Sequence, residues 1–137
     1  GWVLVVGRDL AAATHDPSEV EVLLPPFSEE FGTAMWFSTD EVRDVHGWAV
    51  AERGELRRGY AYDSENGHTY WHGDILDAER ELGCFVDDPR DQSDDQIKWW
   101  PDRRIVLALA AAWSIDPSEL AEIAADLGNG AGWVGRI

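Results

Sequence analysis

His46, Asp63 and His72 are the residues whose types and spacing invite chemistry in this chain, because an imidazole facing a carboxylate is the minimal general acid–base pair. Trp36, Trp48 and Tyr70 recur at positions that alternate with them as strand residues do. Together the six form the candidate binding set: Trp36, His46, Trp48, Asp63, Tyr70 and His72. Other constellations carry less. His68 and His72 have a spacing that joins two ligands on a helix, yet on a strand they stand ~13 Å apart. His46, Asp63 and His72 converge better as metal ligands but span three strands, so no metal and no cofactor is assigned. No Gly-x-Ser-x-Gly elbow exists, and Cys84 has no histidine beside it in sequence. No catalytic residue is therefore named. Residues 87–95 are rich in aspartate but lack the alternate spacing and central glycine of a calcium loop.

The surroundings of these residues are unusual in composition. Eight tryptophans stand among 137 residues, and 27 acidic side chains against 11 basic ones give a formal net charge of −16. Such a field repels phosphate and anionic membranes, which argues against direct nucleic-acid or membrane binding. It attracts basic proteins, and tryptophan and tyrosine are the side chains that anchor protein interfaces. Cys84 is the only cysteine, so no internal disulfide forms and a reducing, cytoplasmic setting is expected. No apolar run reaches the ~18 residues of a membrane span, and no basic stretch precedes the apolar residues 2–6.

The elements that must position the candidate set are legible as one domain over residues 1–137. Residues 2–6 read as a buried strand. Asp16-Pro17-Ser18-Glu19 has the form of a helix start, whereas Val20, Val22 and Leu24 alternate as in a strand. Residues 17–24 thus fit either, and Pro25-Pro26 ends both. Residues 34–39, 45–53, 56–64 and 68–73 are β-rich runs between short turns, with Gly54-Glu55 and Asn66-Gly67 as the hairpin centres. Residues 74–82 fit a short helix stopped by Gly83. Helices over 103–113 and 117–127 follow, and Trp133 anchors a glycine-rich tail. The expected fold is α+β: an antiparallel β-meander of about five strands with helices packed on one face.

Turn positions set register, and register sets faces. With Gly54-Glu55 at the centre, His46 opposes Asp63 and Trp48 opposes Ala61; with Asn66-Gly67 at the centre, Asp63 opposes Tyr70. One face then carries the candidate set. The other carries Val45, Gly47, Ala49, Ala51, Tyr60, Tyr62 and Trp71, with Met35 and Phe37, and belongs under the helices.

Val45-His46-Gly47-Trp48-Ala49, Tyr60-Ala61-Tyr62, Trp71 with Gly73, and Ala112-Trp113-Ser114-Ile115-Asp116-Pro117 resemble a group of small bacterial proteins, over most of residues 27–120. The resemblance implies an α+β fold and no particular catalytic residues; by analogy, some proteins of this type are immunity partners of toxins. Two functions follow as expectations. One is an acidic interaction module, such as an immunity or inhibitor protein that binds a basic toxin or effector. The other is a small-molecule binder or enzyme that uses the His46, Asp63 and His72 face.

Overall fold

The computed structural model describes residues 16–85, 99–117 and 119. Asp16 accepts a hydrogen bond from the backbone N–H of Ser18 at 3.1 Å and caps a 3-10 turn, Pro17–Glu19, which runs directly into helix α1, Val20–Phe31. Residues 17–24 are therefore helical, and α1 continues through Pro25 and Pro26 instead of ending there. A proline inside a helix strips the carbonyl four residues earlier of its partner. The two carbonyls affected belong to Glu21 and Val22, both exposed residues, where solvent is at hand to take the place of the missing donors.

Four antiparallel strands follow: β1, Thr33–Asp40; β2, Val45–Glu52; β3, Glu55–Asp63; and β4, Gly67–His72, in the spatial order β1-β2-β3-β4. A short helix α2, Asp77–Glu81, and a longer α3, Arg103–Trp113, complete the described elements. Asp102 caps α3 by accepting from the N–H of Ile105 at 2.9 Å. The fold is an α+β meander with a four-stranded sheet rather than one of about five strands. The strand expected at 2–6, the loop 87–95, nearly all of the helix expected at 117–127 and the tail with Trp133 lie outside the described residues.

The β2–β3 turn is centred on Arg53 and Gly54, with φ of +50° and +84°, and pairs Glu52 with Glu55. Both central residues are left-handed, as the tight hairpin turn compatible with strand twist requires. One extra residue, Arg57, then enters β3: Ala51 faces Leu56, but Val50 faces Arg58. This bulge changes which side chains share a face. Trp48 opposes Tyr60, not Ala61, and His46 opposes Tyr62, not Asp63. On the other side of β2, the four-residue connection 41–44 pairs Asp40 with Val45 and so sets Trp48 against Phe37 rather than beside Trp36. Thr69 is a second extra residue in β4, and Tyr70 consequently remains on the face of Ala61 although the turn 64–66 differs from the expected one.

β2 is thus reversed relative to the expected faces, while β1, β3 and β4 keep theirs. One face of the sheet carries Phe37, Trp48, Tyr60, Tyr62 and Trp71 beneath Phe85 and the α3 residues Ile105, Val106 and Leu109. The opposite face carries Trp36, Ala49 and Ala51 beneath Val20 and Leu24 of α1. Helices cover both faces, not one. An amphipathic helix with Val20, Leu24 and Ser28 buried at four-residue spacing needs an apolar floor, and the small residues of β2 provide it.

Candidate functional site

Because β2 is reversed, the six expected site residues do not converge. His46 and Trp48 lie on the α3 side; Trp36, Tyr70 and His72 lie on the α1 side; Asp63 ends β3 at the rim. Each has an internal role. Trp36 covers Gly47 so closely that a Cβ there would stand 2.8 Å from its ring, which makes glycine the residue that fits. Tyr70 donates to Glu21 Oε1 at 2.7 Å, and burial, reinforced by that bond, pushes its ionisation well above the usual tyrosine range. His72 Nε2 donates to the Leu56 carbonyl at 3.1 Å. Asp63 accepts from the N–H of Glu65 at 2.7 Å and from the Asn66 amide at 3.1 Å. The Glu65 bond, then the Asn66 bond, hold its carboxyl below the usual carboxylate range.

His46 does have a carboxylate partner, but it is Asp44, two residues away in the β1–β2 connection. Nε2 lies 2.9 Å from Asp44 Oδ1, and Nδ1 lies 2.9 Å from Thr39 Oγ1. An ionised carboxylate only accepts, so Nε2 carries a proton and donates to Asp44, and in the neutral form of the ring Nδ1 accepts from the Thr39 hydroxyl. Asp44 reaches this position with φ of +52°, a conformation that aspartate tolerates better than most residues. Hydroxyl, imidazole and carboxylate are therefore bonded in series at one end of the sheet. Among the described residues no three His, Cys, Asp or Glu side chains are grouped to hold a metal ion.

The main polar centre was not anticipated. Arg58 and Glu79 are both fully buried, and Arg58 Nε lies 3.0 Å from each carboxylate oxygen. Glu79 Oε1 also accepts from Trp48 Nε1 at 2.9 Å, and Oε2 from the N–H of Leu76 at 2.7 Å, at the start of α2. Arg58 Nη1 donates to the carbonyls of Gly59 and His72 at 3.2 and 3.1 Å, and its guanidinium lies 4.2 Å from the Trp71 ring centroid. The hydrogen bonds that Arg58 makes to two carbonyls, and that Glu79 accepts from Trp48 and Leu76, are what make so dry an ion pair tolerable. The signal available in sequence was slight: Arg58 shares a face with Tyr60 and Tyr62 by strand alternation, and on a buried face it must find an anion.

Beside this centre, the Tyr60 hydroxyl lies 2.6 Å from His68 Nδ1, and the His68 ring stacks on Trp100 at 5.9 Å between centroids, 13° from parallel. Burial of Tyr60 pushes its ionisation far above the usual tyrosine range, so the hydroxyl that meets the imidazole keeps its proton. Cys84 is buried too; burial, then the nearby Glu79 charge, raises its thiol to about 12. A thiol so rarely ionised is a packing group, not a nucleophile.

What remains accessible is the surface. Phe27 and Phe31 of α1 are 49% and 51% exposed, and the acidic side chains Glu29 and Glu30 adjoin them. No helix among the described residues is long and apolar enough to cross a membrane. No family model, curated protein or solved structure matches the chain.

Proposed function

We propose that the protein is an acidic interaction module that binds a basic protein partner, in the manner of an immunity or inhibitor protein that blocks a toxin or effector. The observation that carries this reading is the disposition of charge. Of the seven arginines among the described residues, six (Arg43, Arg57, Arg58, Arg80, Arg103 and Arg104) lie within ion-pair distance of the chain's own carboxylates. Most of the described arginines are thus engaged internally, and the chain as a whole carries a surplus of 16 negative charges for a partner to meet. Such a surface steers cationic partners and repels nucleic-acid phosphates. A cytoplasmic setting, with Cys84 kept as a thiol, accompanies this reading.

The test is kinetic. A partner captured from the native host should associate more slowly as salt is raised from about 0.01 M to 0.15 M, because screening shortens from about 30 Å to about 8 Å. Its dissociation should change little. An association rate indifferent to salt would overturn the proposal.

A second reading, a small-molecule binder or enzyme, rests on the Thr39–His46–Asp44 series, since a base oriented by a carboxylate is what activates a hydroxyl nucleophile. A covalent adduct of an activated phosphonate on Thr39, lost in His46→Asn, would support it. Absence of that adduct on folded protein would count against it.

A further inference from the structure

We infer that the partner docks on the flank of α1 that carries Phe27 and Phe31, and that the docked segment is amphipathic, with an apolar row seated on the phenylalanines and cations facing Glu29 and Glu30. The inference rests on the interaction reading above and assigns it a surface.

Helical spacing defines the flank. Val20, Leu24 and Ser28 form the row buried against the sheet. On one side of that row Glu21 accepts from Tyr70 of β4, so this side is closed by the protein itself. On the other side Leu23, Phe27 and Phe31 repeat at the same four-residue interval, which aligns them along the helix. Leu23 is half-buried, whereas both phenylalanines leave about half of their surface in water. α1 therefore has a second apolar row that the sheet does not cover.

Charge selects the occupant. Glu29 and Glu30 stand in the last turn of α1, where the free carbonyl ends carry partial negative charge and favour a cation. That turn contains no basic residue. Among the described residues neither carboxylate has an ion-pair or hydrogen-bond partner. Apolar surface meets water and negative charge meets a negative helix end within one turn. A basic amphipathic segment relieves both. A second copy docked on the same flank relieves only the first, because it brings its own Glu29 and Glu30.

Two synthetic peptides of identical lysine and leucine composition test this, one with its leucines on a single helix face and the other with them scattered. Titrated against the full chain by fluorescence anisotropy, the patterned peptide should bind about tenfold more tightly, a difference of about 1.4 kcal/mol. Phe27→Ser combined with Phe31→Ser should abolish that preference while leaving the scattered peptide's affinity unchanged, in protein whose melting temperature shows it folded. Glu29→Gln with Glu30→Gln should weaken both peptides and flatten their salt dependence. A preference that survives the phenylalanine double variant overturns the docking surface alone. So does a photocrosslinker at position 27 that joins only residues 1–15 or a second copy. Wild-type protein that binds neither peptide overturns the acidic-module reading as well.

Discussion

Beneath α3 the sheet presents Phe37, Trp48, Tyr60, Tyr62 and Trp71; beneath α1 it presents Gly47, Ala49, Ala51, Gly59 and Ala61, with Trp36 and Tyr70 lying across the two glycines. The first face fills its space with large rings, and each tryptophan or tyrosine brings a polar atom that needs a partner once buried. That need accounts for Glu79 under Trp48 and for His68 beside Tyr60. The second face draws a helix close over small residues and satisfies the Tyr70 hydroxyl at the rim, through Glu21. One side of the molecule is consequently a closed polar-aromatic core. The other ends in a helix whose outer flank is still open, and that is where a partner has access.

Removing Glu79 should have the largest effect on this contrast. Glu79→Ala leaves Arg58 charged and unpaired in a dry site and strips Trp48 and Leu76 of their acceptor, so a loss of about 3–5 kcal/mol is expected by urea denaturation. Replacing the pair together, as Arg58→Met with Glu79→Leu, should cost much less than either single change. A single-variant loss under about 1 kcal/mol would mean that the two faces are not distinguished by this centre.

On the other face the sensitive position is Gly47. Replacing glycine by alanine within a strand ordinarily stabilises, but here the new Cβ would meet the Trp36 ring at 2.8 Å and the Tyr60 carbonyl at 3.1 Å. Gly47→Ala should therefore destabilise by about 1–3 kcal/mol, and Trp36→Phe in the same chain should recover part of the loss. Additive effects in a double-mutant cycle would show that Trp36 does not set the close approach.

Alkaline pH should probe both faces at once. Tyr60 and Tyr70 have ionisations raised in the folded chain, so the unfolded chain gives up these protons first, near the ordinary tyrosine value of about 10. Their contribution is fully present below that pH and is lost as pH rises further. Melting temperature should fall above about pH 10, and less steeply in Tyr60→Phe and Tyr70→Phe. Equal slopes in wild type and both variants would refute the assignment.

The smallest effect concerns His46. Its ring N–H on Nε2 should give a persistent proton resonance in Asp63→Asn and lose it in Asp44→Gly, a change that suits the left-handed backbone there while removing the acceptor. The stability cost of Asp44→Gly should be about 1 kcal/mol. Loss of the resonance in Asp63→Asn instead would restore the pairing expected from a hairpin centred on Gly54-Glu55.

Much of the architecture was legible because its determinants are local. The apolar periodicity of 103–113 marks α3, whose observed ends coincide with it, and the β-rich runs mark all four strands to within one residue at each end. The charge surplus was readable from composition alone; Gly54 and Gly67 marked where the hairpins lie but not their centres, which fall at Arg53-Gly54 and at residues 64–66 instead of Gly54-Glu55 and Asn66-Gly67. Tertiary structure decided what those elements do together. Whether α1 ended at Pro25-Pro26 depended on which carbonyls faced water. Whether His46 met Asp63 or Asp44, and whether Trp48 was displayed or buried, depended on the turn centre at Arg53-Gly54 together with the extra residue at Arg57. Strand side chains alternate with a period of two, so one inserted residue exchanges the faces that every later pair shares. No local preference encodes that insertion; its consequence is to bring Trp48 of β2 onto the face of Arg58 and Tyr60, where its Nε1 meets Glu79, a partner 31 residues away in sequence.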